Sequence, residues 1–253
     1  MGAITAYSKR LVKSLNWIIF SAAANFGFLG LVYAVAHFAP YAFTPATRHQ
    51  LAYYAQHWLH VTGKSALLAA LNFMVPYLVV LCSTVAAAAT LSAEIYRDRK
   101  AGALEAMLAY SSRKKLLTAM LLSAIAVGLG SYLIGLLAAL LFIKFAGSSL
   151  AFNNALKMLG YFSVLCVFCE LLAVLLVLYA PKLFGTKLYG SLQNLGMLLA
   201  LLPVLFICLL AAFCPQINPV KLALYTCAAA LAGIGVLAAA LLRTSSVNFL
   251  PEE

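Results

Sequence analysis

The sequence predicts an all-α polytopic membrane protein with six transmembrane helices. Hydrophobic residues make up 65% of the 253 residues and charged residues only 9%, well below the roughly 25% of an ordinary soluble domain. Six apolar runs, 16–36, 66–91, 116–143, 156–180, 192–213 and 220–242, reach the roughly 20 residues a helix needs to cross the hydrocarbon core. None alternates with the period of a barrel strand. The whole chain, 1–253, reads as a single transmembrane domain.

The elements follow in order. In residues 1–15, Ile4, Tyr7, Leu11 and Leu15 share one helical face, with Lys9, Arg10, Lys13 and Ser14 opposite. This predicts a short helix in the inner interface, not a cleaved signal peptide. Trp17 is expected at headgroup level. After the first span, 37–65 is the longest external segment, and Tyr53, Tyr54 and Trp58 predict an interfacial helix over about 45–61. Spans two and five contain Pro76 and Pro203, each expected to free a carbonyl and kink its helix. Span three carries Ala124, Gly128, Ser131 and Gly135, and span six Gly233 and Gly235, small residues that let helices approach closely in lipid. A somewhat longer link is expected around Lys144 to Lys157, and Gln193 and Asn194 read as helix–helix contacts at the start of span five. No internal repeat is evident, which weighs against a carrier built on inverted repeats.

Lys and Arg set the orientation. With the N-terminus inside, Lys9, Arg10, Lys13, Arg97, Arg99, Lys100, Arg113, Lys114, Lys115, Lys182, Lys187 and Arg243 are cytoplasmic, leaving Arg48, Lys64, Lys144, Lys157 and Lys221 outside. That asymmetry predicts both termini inside. The net charge of +11 is then a topology signal and a match to anionic lipid headgroups. It is not a nucleic-acid footprint, because no water-facing fold is left to carry one.

The most informative segment is 94–115 with the Leu116-Leu117 pair that follows. It concentrates Glu94, Asp98 and Glu105 among Arg97, Arg99, Lys100, Arg113, Lys114 and Lys115. The inside rule explains the basic residues but not the concentration of acids. Gly102 allows a break after the second span, and Ala103 to Leu108 is helix-forming with an apolar patch of Leu104, Met107 and Leu108. Ser111 or Ser112 can cap the helix that opens at Arg113. The segment therefore predicts a short amphipathic helix held beneath the membrane.

This arrangement resembles the ABC-2 family of ABC-transporter permeases. Glu94, Arg97, Asp98 and Arg99 stand where the family has a charged cluster, Gly102, Leu104 and Glu105 where it has a Gly-Thr-Leu-Glu-like stretch, and Met107 and Leu108 where it has a Leu pair. Ser112 and Arg113 match the turn before the return helix, and Ile217, Asn218 and Pro219 resemble the Asn-Pro near the last external turn. Ala103 replaces the usual Thr, and Tyr110 with Ser111 stands where Pro is general. The resemblance implies a permease half that works as a dimer, with a second copy or a paralogue, above two separate ABC ATPase subunits that bind ATP and Mg. The chain itself would hold no cofactor and catalyse nothing. Glu94, Arg97, Asp98, Arg99, Gly102, Leu104, Glu105 and Leu108 would couple it to the ATPase. The implied role is export across the plasma membrane of an amphipathic, lipid-like, drug-like or peptide cargo.

Other signals compete with this reading. Gly63-Lys64-Ser65 ends like a phosphate-binding loop, but Trp58 stands where the first Gly is required. His49, His57 and His60 can share a side of one helix and bind metal, as an intramembrane enzyme would require, though no carboxylate or thiol accompanies them. Cys166 and Cys169 are spaced as CxxC within an apolar run and read as small core residues. Glu170 is the single acid inside a span. It is either a protonated side chain bonded to a neighbouring helix or a substrate or proton contact, and the latter is what an ion-coupled carrier or channel would use.

Overall fold

The computed structural model describes residues 2–62, 66–145, 149–184 and 189–243, and no strand occurs among them. Helix α1 (Gly2–Lys13) leads into α2 (Leu15–Ala22), which passes through a π-turn, Ala23–Gly27, into α3 (Phe28–Phe38). Then follow α4 (Pro45–Leu59), α5 (Ala66–Lys100), α6 (Ala103–Tyr110), α7 (Arg113–Phe145), α8 (Ser149–Phe184), α9 (Tyr189–Phe213) and α10 (Pro219–Leu242). Five stretches among the described residues are long and apolar enough to cross a membrane: Thr5–Phe38, Ala66–Lys100, Arg113–Lys144, Phe152–Tyr179 and Pro219–Leu242. Leu198–Phe213 within α9 is a shorter apolar helix. The link expected around Lys144 to Lys157 is mostly helix instead. Ala155, Met158 and Leu159 are buried in the core while Asn153 and Lys157 ride the outer side, so α8 starts well before its apolar run.

Helix α5 is the hub, packed against α8, α7, α9, α4 and the first span. Its 35 residues extend roughly 50 Å, against about 30 Å of hydrocarbon core. The charged last turns therefore form a stalk beyond the apolar layer. Pro76 and Pro203 lie inside α5 and α9, and both helices continue through them. The surrounding helices turn their bulk outward: Leu122, Leu129, Leu133, Leu137 and Leu141 of α7 are exposed, while Met120, Ala124, Val127, Ser131 and Ala138 face in. Such an inside-out distribution suits a lipid solvent, where an apolar outer surface is no liability.

Small residues of α7 face the interior as their spacing predicts. A Cβ added at Gly135 would meet Ser83 Oγ at 2.6 Å, Asn25 Oδ1 at 2.7 Å and Val79 Cγ1 at 2.8 Å. That close approach closes a buried polar cluster. Asn25, inside the π-turn, donates to the Ser21 carbonyl at 3.0 Å and to Ser83 Oγ at 3.1 Å. Ser21 and Ser131 share a hydroxyl contact at 2.6 Å, and Ser131 donates to the Ser83 carbonyl at 2.9 Å. Four fully buried polar side chains from α2, the π-turn, α5 and α7 thus satisfy one another and the neighbouring backbone. In α10, Gly233 lies against the Phe168 ring, whereas Gly235 has open space around it.

At the opposite end from α6, α4 caps the bundle. Thr44 accepts from the Thr47 amide and Pro45 opens the helix, while His60 ends it in the left-handed region at φ 54°. Gln50 and Tyr54 donate to the carbonyls of Ala212 and Ala211, and Trp58 to that of Pro215 at 3.2 Å. Gln50 and Tyr54 thereby satisfy last-turn carbonyls of α9 that lack an intrahelical donor, and Trp58 one just beyond the helix. Burial pushes the Tyr54 phenol up to about 12, so it remains a donor at neutral pH. Asn218 Oδ1 likewise accepts from the amides of Val220 and Lys221 at 3.0 and 3.2 Å, and with Pro219 starts α10.

These contacts separate two glycines that sequence alone ranks alike. Gly135→Ala should lower stability by about 1–3 kcal/mol through overpacking, whereas Gly235→Ala should be neutral or stabilising by up to about 1 kcal/mol. Thermal unfolding of both variants in the same detergent is the check.

Candidate functional site at the basic end

The end of α5 sends two neighbouring charges in opposite directions. Asp98 and Arg99 are only 3% and 4% exposed. Asp98 accepts from Arg10 of α1, whose guanidinium also lies over the Tyr7 ring at 5.4 Å. Arg99 donates to the carbonyls of Val177 and Leu178 in α8, at 3.3 and 3.4 Å. A charge buried this far persists only when paired or hydrogen-bonded. Arg97, by contrast, is exposed and pairs with Glu94 one turn back.

Helix α1 is more than an interfacial flank. Tyr7 and Leu11 are buried against Leu91, Ile95, Leu116 and Met120, and Ser8 meets the Ser123 hydroxyl of α7 at 2.9 Å. It lies across both helices that bracket α6. Trp17, expected at headgroup level, packs against the protein itself. It is buried, donates from Nε1 to the Val12 carbonyl at 2.8 Å, and fills the notch at Gly130, where an added Cβ would come within 2.5 Å of the ring. Trp17, Leu11, Ser14, Thr90 and Glu94 also line a small cleft at this end.

Gly102 makes the break between α5 and α6 with φ at +69°, a conformation that disfavours a side chain although space is open. Its carbonyl then accepts from the Ala106 amide at 3.0 Å, starting α6. At the far end the Ser112 carbonyl accepts from Lys115 and Leu116 at 3.0 and 3.2 Å, opening α7. The apolar patch expected to dock on a partner turns inward. Leu104 is fully buried, with Met107 and Leu108 packed against the cluster that includes Ile95, Leu117 and Leu241. An eight-residue helix in contact with its own bundle buries that face there first, at roughly 1.5–3 kcal/mol for a fully buried Leu.

The sequence-derived coupling set therefore divides. Asp98, Arg99 and Leu104 are internal, Gly102 is the hinge, and Leu108 and Glu94 are half-buried. Arg97 and Glu105 face out, joined by Lys100 and by Tyr110 at 89% exposure. Tyr110 and Arg10 were not legible as site residues. An aromatic ending a polar-flanked helix was the available signal for the first, and an unmatched acid beside Arg99 for the second. Lys9, Lys13, Lys114, Lys115 and Arg243 are exposed, and Leu241 packs in the same cluster as α1 and α6. Both α1 and the end of α10 thus lie at the end that bears the basic residues. The side chains of Lys182, Lys187, Gln193 and Asn194 and the Gly63-Lys64-Ser65 segment lie outside the described residues.

Two other sequence signals have defined places. His49, His57 and His60 are exposed. His57 stacks on Tyr53 at 5.1 Å and meets Trp58 edge-on at 4.7 Å. No group of three His, Cys, Asp or Glu side chains that could hold a metal ion occurs among the described residues. Cys166 and Cys169 are fully buried and free, as small core residues should be. Glu170, on the same α8 face as Cys166, is fully buried, and among the described residues neither carboxyl oxygen has a hydrogen-bond partner.

The fold and this end define a multi-pass helical membrane protein with a short helix hinged between the crossings α5 and α7. No family model matches the chain, and no curated protein or solved structure matches it.

The Arg10–Asp98 pair is open to a double-mutant cycle. Arg10→Ala should cost about 1–3 kcal/mol, between the values for an exposed pair and a buried one. On an Asp98→Asn background the same change should cost well under half as much. Unfolding of the four variants measures the coupling.

Proposed function

We propose that the chain is the transmembrane permease subunit of an ABC-2-type exporter, crossing the plasma membrane six times with both termini in the cytoplasm and working as a dimer. A separate ATPase would bind ATP and Mg and drive an amphipathic, lipid-like, drug-like or peptide cargo outward. The observation that carries this reading is α6, a short helix set off by a left-handed Gly102 between α5 and α7, at the end rich in basic residues. A push on α6 bears directly on the ends of α5 and α7. The docking face of this proposal is Arg97, Lys100, Glu105 and Tyr110, with Leu104 and Leu108 transmitting force inward by packing.

A second reading, an ion-coupled carrier or channel, is favoured by one observation, the buried and unpartnered carboxyl of Glu170. Ionisable groups at such depth mark ion and proton pathways. Under that reading Glu170→Gln abolishes ion-driven transport and no ATPase is needed.

Purification from native membranes in mild detergent should bring down a stoichiometric ATPase with a phosphate-binding loop. The paired change Glu105→Lys with Tyr110→Ala should reduce permease-stimulated ATP hydrolysis by at least about tenfold, a loss of ~1.4 kcal/mol in coupling, at an unchanged melting temperature. Arg99→Glu should instead lower the melting temperature, because it places an acid against the α8 carbonyls. An intact, monodisperse protein that never carries an ATPase would overturn the exporter reading in favour of the second.

A further inference from the structure

Glu170 sits where α8 meets α5 and α7. A Cβ added at Gly128 of α7 would come within 2.7 Å of Glu170 Cγ and 3.5 Å of its Cβ, so the acid occupies a notch that only glycine leaves open. One turn earlier on α8, Cys166 meets the Gly128 carbonyl at 3.6 Å and lies beside Thr84 of α5. Among the described residues both oxygens of Glu170 are buried without a hydrogen-bond partner, while Thr84 is engaged with Cys166. Native interiors rarely leave such atoms orphaned, and those that remain point to an exchangeable occupant.

The occupant has to be positive and small. Cys166 and Cys169 are the titratable groups beside the carboxyl on α8. The face packed against it from α7 supplies Gly128, Thr84 of α5 stands against Cys166 one turn away, and among the described residues no Lys, Arg or His acts on it. A bare carboxylate at this depth is among the costliest groups a helix can carry. A metal ion needs several ligands at fixed distances, and the described residues gather no such set of acidic, thiol or imidazole groups. A proton needs only one carboxyl oxygen.

We propose that Glu170 is a proton-exchange site of the bundle, seated in the Gly128 notch with Thr84 and Cys166 as its polar surroundings. On uptake, one carboxylate oxygen accepts a proton and becomes a hydroxyl donor while the other stays an acceptor. The neutral acid lets α5, α7 and α8 stay closely packed. On release the ionised carboxylate draws water into the seam and favours separation of these helices. This inference deepens the ion-coupled reading but is compatible with the exporter, and it is read without nucleotide, ATPase or cargo.

The test uses the full chain in mild detergent with dicyclohexylcarbodiimide, an apolar reagent that modifies protonated carboxyls, and maps the modified peptide by mass spectrometry. Glu170 modification is expected to be about tenfold greater in acidic than in alkaline buffer, to be indifferent to sodium or potassium at fixed pH, and to vanish in Glu170→Gln. Thr84→Ala, which removes the hydrogen bond to Cys166 beside the acid, should move the pH of half-modification. If Glu170→Gln disrupts folding, the wild-type pH series and the Thr84→Ala shift still decide the matter. Glu170 left unmodified at every pH, modified equally at all of them, or protected by sodium or potassium instead of by alkali would overturn the proposal. ATPase co-purification is independent of each of these outcomes, so failure here and failure of the exporter reading are distinguishable.

Discussion

Two adjacent residues of opposite charge, Asp98 and Arg99, fix the geometry of the basic end. Both lie under the surface, so each needs a partner, and the helical turn between neighbours sends them to different ones. Asp98 takes Arg10 and with it α1. Arg99 takes the Val177 and Leu178 carbonyls and with them the end of α8. Once α5 is held on both sides, the direction in which the chain leaves it is set, and the left-handed Gly102 turns α6 back so that Leu104 reaches the same apolar cluster. Replacing one of these charges strands the other elements as well as its own partner.

The bundle above this end is held by a different balance. Lipid supplies no hydrophobic drive between helices, so close packing and internal hydrogen bonds must do that work. The Asn25–Ser21–Ser83–Ser131 cluster and the Gly135 and Gly130 approaches meet this need, and the π-turn places Asn25 within reach of Ser83. At the other end α4 donates three side-chain hydrogen bonds to the carbonyls that finish α9 and follow it. Of the buried side-chain atoms left unpartnered among the described residues, those of Glu170 are the only carboxyl oxygens, which makes it the best candidate for a group that changes state.

Much of this architecture was legible in the sequence because its signals are local. Apolar run length gave five of the six expected crossings, Gly102 the break before α6, and Pro45 the start of α4. The small residues Gly128, Ser131 and Gly135 marked the buried face of α7. What was not legible depended on which surfaces meet. Periodicity shows that Leu104, Met107 and Leu108 share a face but not that the protein's own core covers it. The amphipathic pattern of α1 fits a lipid interface and a protein groove equally well, and no sequence signal pairs Trp17 with Gly130. Arg97 and Arg99 look interchangeable two residues apart, yet one is exposed and the other buried, because that spacing turns a helix through about 200°.

The central claim is that α6 faces an ATPase with its Glu105–Tyr110 side and its own bundle with Leu104. A photo-crosslinking amino acid placed at position 110, and in a separate variant at position 104, in the full chain within native membranes tests this directly. The account requires position 110 to yield an adduct with a soluble subunit that bears a phosphate-binding loop, and position 104 to yield only internal crosslinks to α5 or α7. No such adduct from position 110, or equal adducts from both positions, would contradict it.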